Sequence, residues 1–151
     1  MRSRGHWWVL AIAITVSGRA DTPPGRYIVD SAAGTVVDTK TTLTWQQKSP
    51  TSGGTAGKNY LAGEAMDLCR GIDTGWRLPT IKELMTIADF KKATAPAIDT
   101  TVFLGEPADA FWSITRAPDV QGEGTLWLLD FSSGTMGAIA MQSFARVRCV
   151  K

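Results

Sequence analysis

The sequence predicts an α+β domain in which two short helices pack on small antiparallel sheets. β-branched and aromatic residues cluster in short runs within residues 26–46 and again within residues 111–150. Between these regions, apolar residues recur with helical spacing in residues 59–70 and 81–88. Strands followed by helices and then by more strands are typical of α+β folds.

Three strands are predicted first, at residues 26–30, 35–39 and 42–46, with the turn residues Ala33 and Gly34 between the first two. We expect them to form a small meander. The next segment, 50–57, is rich in Gly, Ser and Thr and is predicted to be an exposed loop.

The first helix is predicted at residues 59–70. Four residues share one face of it, Leu61, Ala65, Leu68 and Cys69, and Gly71 is a typical C-terminal cap. Cys69 is therefore expected to point into the core.

The segment 75–84, GWRLPTIKEL, predicts a second helix with a rigid lead-in. Thr80 and Glu83 have the spacing of a capping box, in which each side chain bonds the backbone N–H of the other residue. We interpret the Arg77 guanidinium as a hydrogen-bond donor with a structural role, to carbonyl groups or to Asp130. Apolar residues then form one face of the helix: Ile81, Leu84, Met85 and Ala88.

Residues 89–110 are predicted to be irregular, and they are followed by four further strands. The predicted strands are residues 111–115, 125–131, 136–141 and 144–150. Alternation in the last strand places Cys149 on the core side. It also predicts an exposed basic stripe: Arg146, Arg148 and Lys151.

Residues 1–20 have the pattern of a signal peptide, with a basic start, an apolar run at 7–16 and small residues before a cut after Ala20. We therefore expect a periplasmic or extracellular protein with a single domain at 21–151. An uncleaved anchor is the alternative, but the apolar run is too short to span a bilayer.

Loss of this leader changes the chemistry that remains. The full chain has 16 basic and 14 acidic residues, and three arginines leave with the leader, so the expected net charge is −1. A general nucleic-acid surface is not expected. The single histidine, His6, is also lost, which leaves no imidazole for triad or metal chemistry. We predict no cofactor and no metal.

Both cysteines, Cys69 and Cys149, remain in the expected domain. Two cysteines in an exported chain favour a disulfide. A reactive thiol is the alternative, and it would need an exposed, electropositive site.

The motifs GWRLPT (residues 75–80) and VRCV (residues 147–150) resemble the Lcl C-terminal domain family, the C-terminal domains of bacterial collagen-like adhesins. The resemblance extends over residues 26–151. It implies a C-type-lectin-like fold with its two ends in adjacent strands, and a bond between the cysteine of the first helix and that of the last strand. The formylglycine-generating enzymes are similar around WRLPT, but they depend on paired active-site cysteines.

Calcium-binding lectins use loop carboxylates in a late long loop. At that place this chain has Arg116, Asp119 and Glu123, and two carboxylates are few for Ca²⁺. We interpret these three residues, with Glu106 and Asp109, as candidate contacts to a ligand.

The sequence predicts an exported, non-catalytic module that binds a surface glycan, polysaccharide or protein. The alternatives are an enzyme or maturation factor related to the formylglycine-generating group, and a structural envelope protein. The sequence sets no oligomeric state. Four tryptophans are expected in the core and not on a sugar-stacking surface: Trp45, Trp76, Trp112 and Trp127.

Overall fold

The computed structural model describes residues 22–50, 54, 59–118 and 124–151. These residues form an α+β domain with two helices and two three-stranded antiparallel sheets, as predicted. The predicted leader, residues 1–20, lies outside the described residues, so its cleavage stays a prediction. Neither helix in the described part of the chain is long and apolar enough to cross a membrane.

The first sheet contains β1 (Tyr27–Asp30), β2 (Thr35–Asp38) and β3 (Thr44–Gln46), in that order. Gly34 closes the β1–β2 turn with a φ of +67°, a conformation that favours glycine because it has no Cβ. Trp45 of β3 is fully buried, whereas β1 forms an open edge of the sheet and is largely exposed. The first sheet therefore contributes to the core mainly through β2 and β3.

The first helix, α1 (Ala62–Arg70), begins three residues later than predicted. Tyr60 pairs with Ala145 in a β-bridge, which holds this part of the chain extended. The N–H of Leu61 then donates to the Glu64 carboxylate at 2.8 Å and closes the start of the helix.

The second helix, α2 (Ile81–Ile87), begins at the predicted capping box. The Thr80 hydroxyl accepts from the Glu83 N–H at 3.2 Å, and the Glu83 carboxylate accepts from the Thr80 N–H at 2.7 Å. The apolar face of α2 is buried at Ile81, Leu84 and Ile87.

The second sheet contains β4 (Ala110–Arg116), β5 (Thr125–Asp130) and β6 (Thr135–Ala140). The register of β4 against β5 shifts between Trp112 and Arg116, so the last part of β4 bulges away from its partner.

The prediction of a last strand at residues 144–150 is wrong, because this segment does not form a regular strand. Its residues form single bridges to different partners in turn: Ala145 with Tyr60, Arg146 with Phe111, and Val150 with both Trp45 and Arg77. Because the partner changes along the segment, no continuous ladder develops. The segment ends beside β3, where the Lys151 N–H donates to the Thr44 carbonyl at 2.9 Å.

Two apolar clusters form the core. One lies between α2 and both sheets, and the other lies around α1 and contains the Cys69–Cys149 disulfide, whose Cα atoms are 5.4 Å apart. The predicted pairing is therefore confirmed. Trp45, Trp76 and Trp112 are buried, and Trp127 is half-buried against the first cluster.

Candidate functional site

The three predicted contact residues that the structure describes, Glu106, Asp109 and Arg116, do not converge on one site. Asp109 precedes β4 and Arg116 ends it, and at about 3.3 Å per residue these positions are about 23 Å apart along the strand. Arg116 is exposed at its end of the strand. Asp119 and Glu123 lie outside the described residues.

Glu106 is in the interior. The buried Arg148 guanidinium donates to the Glu106 carboxylate, to the Ser49 hydroxyl at 3.1 Å and to the Gln46 carbonyl. It also lies over the Phe103 ring, 5.0 Å from its centroid. Both charged side chains are fully buried, so this carboxylate joins the loop before β4 to the end of the chain and is shielded from solvent.

The predicted basic stripe is wrong. Arg148 is fully buried, and Arg146 donates through Nε to the Asp109 carboxylate at 3.0 Å. The Lys151 ammonium lies over the Trp76 ring. Strand alternation misplaced these side chains because the segment is not a regular strand. Burial lowers the pKa of Arg148 to about 9, which leaves the guanidinium charged at neutral pH.

Arg77 has the structural role expected of it, with a different acidic partner. Its guanidinium donates to the Leu78 carbonyl, one of the two predicted kinds of acceptor, and to both oxygens of Glu83, at 2.8 and 2.7 Å, in place of Asp130. The bond to Arg77 lowers the pKa of Glu83, which also forms the α2 capping box. The GWRLPT segment is thus locked to the start of α2.

The disulfide determines the chemistry open to the two cysteines. Cys69 and Cys149 are fully buried and bonded to each other, so neither is a free thiol. Within the described ranges, no three acidic, cysteine or histidine side chains are grouped closely enough to hold a metal ion.

A groove of about 260 Å³ lies between the N-terminal segment and the loop that follows α2. We call it the N-terminal groove. Its lining combines apolar and charged side chains: Thr22, Pro23, Arg26, Tyr27, Ile87, Ala88, Asp89, Lys91 and Asp99. The sequence does not predict this site, because its residues come from three separated segments and form no motif.

Interactions within the domain fix one wall of this groove. The Arg26 guanidinium makes two hydrogen bonds to the buried Asp38 carboxylate and one to the Thr86 carbonyl. It also lies 4.7 Å from the centroid of the Tyr27 ring, which packs edge-on against Phe103. The hydrogen bond to Asp38 raises the pKa of Arg26, and the Asp38 carboxylate, at 2.8 Å, offsets the charge of this cation.

The opposite wall is also anchored by hydrogen bonds. The Thr22 and Thr101 hydroxyls donate to the Asp99 carboxylate at 2.8 and 2.6 Å. Burial acts to raise the pKa of Asp99, but these hydrogen bonds outweigh it and the pKa lies below its ordinary value. Burial raises the pKa of Tyr27 and outweighs the opposing effect of Arg26, so the Tyr27 hydroxyl stays protonated at neutral pH.

A family model described as the Lcl C-terminal domain matches residues 34–151. The chain belongs to the Lcl C-terminal domain family. The comparison with curated proteins finds no match.

The family match covers the interactions that stabilise the scaffold but only part of the N-terminal groove. The disulfide, the α2 capping box and the Arg148–Glu106 pair all lie inside the Lcl C-terminal domain, and they stabilise its scaffold. The N-terminal groove is different, because Thr22, Pro23, Arg26 and Tyr27 precede the matched range. One wall of this groove is therefore an addition to the part of the chain that the family model covers.

Proposed function

We propose that this Lcl C-terminal domain protein is an exported, non-catalytic module that binds a surface glycan, polysaccharide or protein. Membership of the family carries the proposal, because the match covers residues 34–151 and the chain resembles the C-terminal domains of collagen-like adhesins. An adhesin acts by binding a surface, and its ligand-contacting loops vary on a constant scaffold.

The disulfide supports the exported location. Disulfides persist in oxidising compartments and are rare where thioredoxin and glutathione keep thiols reduced. Cys69 and Cys149 are 80 residues apart, and closing such a loop stabilises a domain by about 4 kcal/mol in the chain-entropy model.

The same bond disfavours the enzyme alternative. An activity of the formylglycine-generating type needs a pair of reactive cysteines, and the chain has two cysteines in total. Both are buried in the bridge. We therefore favour recognition without turnover.

The end of β4 is one candidate contact surface. Arg116 is exposed there, next to the connection that carries Asp119 and Glu123. Asp109, at the other end of β4, bonds Arg146 and has 43% of its side chain exposed, so it keeps access to solvent. We do not include Glu106, because its carboxylate is buried against Arg148.

The test is binding of labelled protein to envelope fractions of the producing organism. The full chain is exported, purified in its oxidised form and compared with reduced, alkylated protein. We expect saturable binding by the oxidised form. Loss of binding after periodate treatment of the envelope would identify a glycan, and loss after protease treatment a protein. No binding to any fraction would contradict the proposed function.

A further inference from the structure

We propose that the N-terminal groove binds one neutral pyranose ring of a glycan. This inference rests on the proposed recognition function and names a site and a ligand class for it. The groove, at about 260 Å³, lies just below the usual size of pockets for drug-like molecules, and it therefore fits a single ring.

Hydrogen-bonding groups at the groove remain available to a ligand. Within the described residues, the Tyr27 hydroxyl and the Lys91 ammonium have no hydrogen-bond or ion-pair partner. One oxygen of Asp89 accepts from the Lys91 N–H at 3.0 Å, and the other oxygen is open. A carboxylate accepts from a sugar hydroxyl while an ammonium donates to the next one, so these groups suit a vicinal diol.

The apolar part of the lining completes the match to a sugar. Pro23 is exposed, Tyr27 is half-buried, and the buried Ile87 also lines the groove. A pyranose has C–H groups on its faces and hydroxyls at its edges, so it uses both kinds of lining. Aromatic rings with a polar tip serve such mixed ligands.

The charged side chains of the groove favour an uncharged sugar ring over a sulfated or carboxylated one. Arg26 is paired with Asp38, which leaves Lys91 as the unpaired cation among the lining residues, against the two carboxylates of Asp89 and Asp99. A sulfate or carboxylate on the sugar would face these carboxylates, and like charges across an interface are strongly unfavourable.

The groove is also held in shape before any ligand arrives. The loop after α2 is tied back by the Ala88–Ile98 bridge and by the Asp89 N–H, which donates to the Ala97 carbonyl at 2.8 Å. The facing segment is held by Arg26 and Thr22. Preorganisation lowers the entropic cost of binding.

The test is NMR titration of the ¹⁵N-labelled, exported and oxidised protein with methyl glucoside, methyl galactoside, methyl mannoside and N-acetylglucosamine. We expect at least one to bind with about millimolar affinity, as suits a ligand of one ring. The shifted amides should lie in residues 22–27 and 87–99. Methyl glucoside 6-sulfate should bind at least about tenfold more weakly than methyl glucoside.

Two conservative variants test the contacts. Tyr27→Phe keeps the ring between Arg26 and Phe103 but removes the hydroxyl, and Asp89→Asn removes one charge. Each should weaken binding about two- to tenfold, the effect of one hydrogen bond. Asp73→Asn is the matched control, because Asp73 is also an aspartate that accepts from a nearby backbone N–H, in the exposed turn after α1. It should bind like the wild type.

Shifted amides elsewhere, or unchanged affinity in both groove variants, would overturn this inference. So would a preference for the sulfated sugar, or no response to any neutral sugar. If the envelope binding described above persists in those cases, the proposed function stands without the groove. If that binding is also absent, both are wrong.

Discussion

Replacing Glu106 with Gln should destabilise the domain strongly although it changes one atom. The substitution leaves the fully buried Arg148 without its counter-charge. Removing one partner of a buried ion pair costs about 3–5 kcal/mol, because the other charge stays desolvated. Since a domain of this size has a total stability of about 5–15 kcal/mol, the loss is a large fraction of the whole.

Arg148→Met should lower the free energy of unfolding by a similar amount, because it removes the other charge of the same pair. It leaves the buried Glu106 carboxylate without its counter-charge, and it also removes the donors to the Gln46 carbonyl and the Ser49 hydroxyl. The milder Ser49→Ala variant removes hydrogen bonds but no charge and should cost about 1–2 kcal/mol.

The double variant Glu106→Leu with Arg148→Met gives the sharpest test. Glu106 Oε1 and Arg148 Nε have no hydrogen-bond partner within the described residues, so even the intact pair is imperfectly satisfied. Replacing both charges with apolar side chains should therefore cost less than either single change, below about 2 kcal/mol.

The assay is urea unfolding of the oxidised proteins at pH 7, followed by tryptophan fluorescence. Asp67→Asn is the control, because the Arg70–Asp67 pair is exposed and should contribute within about 0.5 kcal/mol. A Glu106→Gln loss below about 1 kcal/mol would refute the reasoning. So would a double variant that loses as much as the two single changes together.

Three further predictions concern the scaffold. Reduction of the Cys69–Cys149 bond should lower the free energy of unfolding by about 4 kcal/mol, measured by urea titration with and without reductant; an unchanged midpoint would contradict it. Thr80→Ala should lower the free energy of unfolding by about 0.5–2 kcal/mol in the same assay, because the α2 cap is lost. Thr80→Ser keeps the capping hydroxyl and should leave the free energy of unfolding nearly unchanged. Because Arg77 lowers the folded-state pKa of Glu83, the resulting stability is present above the unfolded value of 4.5 and is lost as the pH falls through the folded value. Unfolding measured between pH 6 and pH 3 should depend less on pH in Glu83→Gln.

Sequence reasoning succeeded where the determining interactions are local. The Thr80–Glu83 box lies within four residues and fixed the start of α2 correctly. The predicted strands of both sheets lie within two residues of the observed ones, because turn residues bound them. The disulfide followed from the expected compartment and from the face of α1 that carries Cys69.

Sequence reasoning failed where the structure depends on distant partners. Residues 144–150 alternate like a strand, but Ala145, Arg146 and Val150 each pair with a different part of the fold. Arg148 is consequently buried where alternation predicted exposure, and its partner Glu106 is 42 residues away in the chain. The N-terminal groove is not predictable from the sequence for the same reason, since only the tertiary structure brings Tyr27 close to Asp89 and Asp99.

Recognition of a surface ligand is the central claim, and a glycan array tests it most directly. The exported, oxidised protein is applied once with calcium and once with a chelator. We predict binding to a defined set of glycans that survives chelation, because no metal is expected to take part. Binding lost on chelation would contradict a metal-free site. If the protein binds no glycan on the array and no protein in envelope fractions, the claim that it recognises a surface ligand is contradicted.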